Sequence, residues 1–210
     1  MIDMEGQNMR IFGKSIKEVW KQLSEEINAN YIDGSLFIGP RIEYTHNKWI
    51  IYLDTYTVST GKSSITYTRM RVPFINPNKF LFKIYRKGIV SNIGKALGMQ
   101  DIEIGYDWFD NEYIIKGNDE ILLRRLLQNH QIRNLIEKQS RIVLEIKDNE
   151  GIFGPKFNDN ESELSFMVVG VIKDKNRLKN LFELFVKVIS EFETIGITVN
   201  QTPEVKLYKE

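Results

Sequence analysis

The pair best spaced for chemistry in this 210-residue chain is Glu145 and Lys147. A carboxylate and a lysine two positions apart on a strand share a face. There the acid can hold Mg²⁺ while the ammonium stabilises developing charge, as in restriction-type nucleases. The same reaction needs a further acid on a neighbouring strand, and Asp101, Asp107 and Asp110 lie upstream without a distinctive motif around them. Ile142, Leu144 and Ile146 fill the opposite face, so the solvated side of a half-buried strand accounts for Glu145 and Lys147. A second set of oxygens gathers at Asp101, Glu103, Asp107, Asp110, Glu112, Asp119 and Glu120, against the single base Lys116. Such a set can hold Ca²⁺ or Mg²⁺. It lacks an Asp-x-Asp-x-Asp-Gly loop, and Asp119 with Glu120 suits the first turn of a helix. A hydrolase-type enzyme using carboxylates near Asp101 to Asp110 is therefore the alternative functional reading.

Other chemistries find fewer residues. With no cysteine there is no disulfide, thiolate zinc site, iron–sulfur cluster or cysteine nucleophile. His46 and His130 are the two imidazoles, too far apart in sequence to suggest a histidine-rich metal site. Thr60-Gly61-Lys62-Ser63-Ser64 ends like a phosphate-binding loop, yet the position that should hold its first glycine is Tyr56 and no helical pattern follows. A turn between two strands is expected there. No Gly-x-Ser-x-Gly elbow is present. The expectation is no cofactor and no metal.

Charge is unevenly distributed. The 29 Lys+Arg nearly balance the 28 Asp+Glu, but no acid occurs from position 55 to 100, where a well-mixed chain would place about six. Lys62, Arg69, Arg71, Lys79, Lys83, Arg86, Lys87 and Lys95 supply eight bases in that window. Strand alternation puts Tyr67, Arg69 and Arg71 on one face of one strand, and Lys79, Lys83, Tyr85 and Lys87 on one face of its neighbour. If those faces coincide, they form a basic surface carrying two rings, suited to an acidic protein, a nucleic acid or an anionic membrane face. The competing expectation is that these bases pair with the acids that follow Asp101, inside the molecule or across a homo-oligomer. On balance the residues favour a non-catalytic binding module over an enzyme.

Tyr67-Thr68-Arg69, the run Gly98 to Gly105, Phe109-Asp110 and Ile115-Lys116-Gly117-Asn118 resemble a family of uncharacterised bacterial proteins of similar length. The resemblance extends over most of the chain. It implies a bacterial source and assigns no activity to any residue.

Behind these residues lies an α+β pattern. Ser15-Ile16-Lys17-Glu18 is a capping box opening a helix with Ile16, Val19, Trp20, Leu23 and Ile27 on one stripe. From Tyr31 to Arg86 β-branched and aromatic residues alternate as in an antiparallel meander, with Trp49, Ile51, Leu53, Phe80, Phe82 and Ile84 inward. The glycines from Gly88 to Gly105 suggest a boundary between a subdomain over 1–100 and another over 101–210, unless the two form one integrated domain. The second half reads strand (111–116), helical pair (119–138), strand (141–147), strand (163–173), helix (175–194) and a weak strand (205–208). That is the order of a ferredoxin-like βαββαβ half. Asp174 precedes the long helix and Gly196 follows it. The polar start of the chain lacks a secretory pattern, and its longest apolar run is far short of the about 20 residues a membrane helix needs. A cytoplasmic protein without a membrane span is expected.

Overall fold

A computed structural model describes residues 15–35, 39–59, 61–88, 99–149, 155 and 157–208. The elements in chain order are α1 (Ile16–Glu26), β1 (Asn30–Ile32), β2 (Arg41–His46), β3 (Trp49–Ser59), β4 (Ser64–Ile75), β5 (Phe82–Arg86) and β6 (Gln100–Asp101). Then follow α2 (Asp107–Glu112), β7 (Tyr113–Gly117), α3 (Glu120–Gln128), α4 (His130–Glu137), β8 (Val143–Lys147), β9 (Glu161–Val169) and α5 (Lys175–Thr194). The fold is α+β, with an N-terminal helix leading into an antiparallel meander.

All nine strands join one sheet in the order β1-β2-β3-β4-β9-β8-β5-β7-β6. Both halves of the chain therefore contribute to its centre: β4 pairs with β9, and β5 pairs with both β7 and β8. In the second half, β7 and β8 are joined through α3 and α4 but do not touch, because β5 from the first half lies between them. The weak strand expected over 205–208 is irregular chain. Most of the boundary expected between Gly88 and Gly105 lies outside the described residues. Positions 111 and 112 close α2 rather than open a strand, since Asp107 and Asp110 favour a short helical turn ahead of β7.

Alternation along the strands divides the sheet into two faces. Ile42, Leu53, Met70, Phe166, Leu144, Ile84 and Ile115 are partners in register across seven strands, and all are buried. Over this apolar face lies α5, which buries Leu178, Leu181, Phe182, Leu184, Phe185, Val188, Ile189 and Phe192. Phe192 meets Phe74, Phe80 and Phe82 at centroid distances of 5.1, 6.4 and 6.4 Å. Asp174 caps the helix by accepting the Arg177 N–H, and Gly196 leaves it at φ 78°, where a side chain would be strained. The capping box of α1 forms in both directions: Ser15 N–H donates to Glu18 Oε2 at 2.7 Å, and Glu18 N–H to Ser15 Oγ at 3.2 Å. Trp20 anchors that helix by donating Nε1–H to the Ile172 carbonyl at 3.1 Å. Among the described residues no helix is long and apolar enough to cross a membrane.

Candidate functional site

One residue further along each strand from the apolar row, a polar row crosses the opposite face. Glu43, Tyr52, Arg71, Ser165, Glu145, Lys83, Lys116 and Asp101 are partners in register from β2 to β6. Arg69, Arg71 and Tyr67 lie on this face of β4, and Lys83 and Tyr85 lie on this face of β5.

The bases on it are met by acids. Asp54, opposite Arg69, accepts Arg69 Nε–H on Oδ1 at 2.9 Å and Arg69 Nη2–H on Oδ2 at 2.8 Å. It also accepts Arg71 Nη2–H on Oδ2 at 2.8 Å. Arg71 is only 1% exposed, and the wholly buried Glu163 carboxylate lies 4.0 Å from its Nη1. Lys83 Nζ sits 2.7 Å from Glu145 Oε2, and Lys147 Nζ is 3.3 Å from Oε1 of the same acid. Burial pushes the Asp54 carboxyl up, but the Arg69 hydrogen bond and the charges of Arg71 and Arg69 outweigh it, so its pKa stays below the usual carboxylate value. The expected internal pairing thus includes an acid at the edge of the acid-free window, Asp54, as well as acids after Asp101.

The expected outward row from Lys79 to Lys87 is corrected in two ways. Lys83 and Tyr85 are buried, at 7% and 5% exposure, beside their ladder neighbours Glu145 and Val143 on β8. Lys79 and Lys87 are not on β5 at all. Lys79 occupies a left-handed turn position at φ 50°, within a turn stapled by Asn76 and Asn118. Lys87, exposed just past the strand, donates to the Asp110 carbonyl at 2.9 Å. Lys95 lies outside the described residues.

The acids proposed for catalysis have structural work. Asp110 accepts the N–H groups of Ile104, Gly105 and Tyr106 at 2.9, 2.8 and 3.0 Å, tying the loop before α2. Asp101 pairs with Lys116 at 2.9 Å, and Asp119 caps α3 through the Leu122 N–H. No group of three or more metal-ligating His, Asp or Glu side chains converges among the described residues. Glu145, held between Lys83 and Lys147, acts as the anion of an ion-pair triad. Gly61, at φ 82°, lies in the turn between β3 and β4, as expected; Thr60 lies outside the described residues.

Two features escaped sequence reasoning. The first is the end of the β3–β4 hairpin, where Tyr56 pairs with Tyr67 and Val58 with Ile65 beyond the last β4–β9 partner, Thr68. Tyr56, Val58 and Ile65 are 44%, 36% and 39% exposed. Val169 and Val171, also exposed, flank Gly170, whose N–H donates to the Thr66 carbonyl at 2.8 Å. The opposite hairpin face is hydroxylic, with Thr57 and Thr66 3.0 Å apart. The alternation of these residues was readable, but the point at which β9 stops covering them was not.

The second is a strap over residues 199–208, whose Tyr208 reaches the Asp54 carboxylate. Its hydroxyl donates to Asp54 Oδ2 and accepts Arg71 Nη2–H at 3.0 Å. Arg41 lies over its ring at 4.3 Å, and the Tyr52 ring is 5.4 Å away. Burial, then the Asp54 charge, raises the phenol pKa well above its ordinary value.

No family model matches this chain, and no curated protein does. Among solved structures it is similar to the crystal structure of the mycobacterial trehalose monomycolate transport factor A, TtfA. The TM-score is 0.49 at 9% identity, over 89% of this chain and 98% of that one.

Proposed function

We propose that this protein is a non-catalytic binding module that docks an acidic partner through the apolar face of the β3–β4 hairpin. The observation that carries the reading is the gathering of Tyr56, Val58, Ile65 and Val169 on one projecting end of the sheet. Single exposed apolar residues are ordinary, whereas a contiguous group marks interaction sites. Lys62 is exposed at the hairpin turn, and no acid occurs in sequence from position 55 to 100. The complementary partner is a protein segment presenting apolar side chains flanked by Asp or Glu. The basic residues inside the sheet serve this role only as support, since Arg69, Arg71 and Lys83 already have acidic partners. A cytosolic setting belongs to the same proposal and agrees with the absence of cysteine.

Selection of a displayed peptide library on the full chain tests this. Enriched peptides should combine apolar and acidic residues, and Tyr56→Ser with Ile65→Ser should weaken them about tenfold or more. The same pair should change stability by no more than about 1 kcal/mol, as exposed substitutions do. Peptides that bind the double variant as tightly as the unaltered chain overturn the proposal.

A further inference from the structure

The strap is joined to the sheet in an unusual way. Residues 203–208 form no strand. Side chains reach the strap instead: the Glu161 carboxylate accepts the N–H groups of Glu204 and Val205, and Lys48 donates to the Val199 carbonyl and the Asn200 side chain at the other end. Residues 199–202 are exposed throughout. Exposed stretches such as this open at low free energy. By contrast, the socket beneath Tyr208 is rigid, because Asp54 and Arg71 are buried and fixed on neighbouring strands. A cleft of about 560 Å³ lies between the strap residues 203–208 and Arg41, Glu43, Ile50 and Tyr52.

We propose that this socket is a binding site for a tyrosine side chain on an extended peptide segment, and that the strap fills it in cis as a built-in competitor. Each part of a phenol is met. Asp54 accepts a hydrogen bond from its hydroxyl, Arg71 donates to its oxygen, and Arg41 and Tyr52 hold the ring by cation–π and aromatic contact. The Glu161 carboxylate supplies two backbone anchors three and four residues before the tyrosine, so an extended segment of about six residues can be held without joining the sheet. The charges of Arg41, Arg69 and Arg71 are offset by Glu43, Asp54 and Glu163, which leaves no excess to hold a phosphate. The site reads a neutral phenol.

The test uses the full chain carrying Tyr208→Ala, checked by its melting curve, and a labelled peptide of sequence Val199 to Tyr208 as probe. The variant should bind the peptide. The unaltered chain should bind it about tenfold more weakly, as expected when a tethered competitor at millimolar effective concentration fills a site of about 0.1 mM affinity. A peptide with phenylalanine at the last position should lose about tenfold, the usual cost of hydrogen bonds to charged groups. If Tyr208→Ala is too unstable to use, Tyr208→Phe keeps the ring in place and should admit the peptide more readily than the unaltered chain. Equal binding by the variant and the unaltered chain, no preference for tyrosine over phenylalanine, or tighter binding of a phosphotyrosine peptide each overturns the proposal. Self-association of the unaltered chain that Tyr208→Phe removes assigns the natural segment to a second copy. Peptide binding without self-association assigns it to another protein.

Discussion

Two rows of residues, one position apart on the same strands, meet opposite environments. Leu53, Met70, Phe166, Leu144 and Ile84 lie on the face covered by α5, where any apolar side chain of suitable volume serves. Their neighbours Tyr52, Arg71, Ser165, Glu145 and Lys83 form a layer in which each charge needs a particular opposite charge. The first row draws its stability from area and the second from pairing, so the first tolerates exchange and the second tolerates loss of a partner badly.

The largest effect should come from the apolar side. Phe185→Ala is expected to destabilise by about 3 to 5 kcal/mol in chemical denaturation, as a large-to-small change at a fully buried position. A loss below about 1 kcal/mol would place that helix outside the core.

On the polar side, Asp54→Asn should cost about 3 kcal/mol, because Arg71 is left buried without its principal anion. The effect has a pH signature. The folded-state pKa of Asp54 lies below its unfolded value of about 3.9, so its contribution is full above about pH 5 and fades as pH falls through the folded pKa. The difference in melting temperature between the unaltered chain and Asp54→Asn should therefore narrow as pH falls from 6 to 2. Curves that stay parallel would show that the Asp54 carboxyl has the same pKa in the folded and unfolded chain.

The smallest effect sharpens the contrast. Lys83→Met alone should destabilise by leaving Glu145 underpaired, while Lys83→Met combined with Glu145→Leu should be neutral or gain about 1 to 4 kcal/mol. A double variant as unstable as the single one would mean that the ion pair stabilises beyond its apolar replacement.

The helices were largely legible because their signals are local. Ser15 with Glu18 marked one start, Asp174 and Gly196 marked both ends of α5, and the Leu178 to Phe192 stripe gave its buried side. Which residues of a strand share a face was also readable from alternation, as Trp49, Ile51 and Leu53 show. Pairing between distant segments was not. Nothing near Lys83 announces Glu145, and nothing near Asp54 announces Arg71 and Tyr208, since those contacts follow from strand order. The basic window therefore read as a surface, although its buried members are counterions within the sheet.

The position of β5 carries a consequence for how the chain acquires this structure. Its ladder partners are β7 and β8, and the second of these begins 60 positions after Lys83, at Val143. On one side of the growing sheet, β4 waits for β9 from Glu161 onward. During synthesis, the meander emerges with β4 paired on one edge only, to β3, and with β5 unpaired, and the edges that β9 and β8 will cover stay open until most of the chain has left the ribosome. Such long-range closure slows folding and leaves apolar strand edges exposed to other chains in the interval.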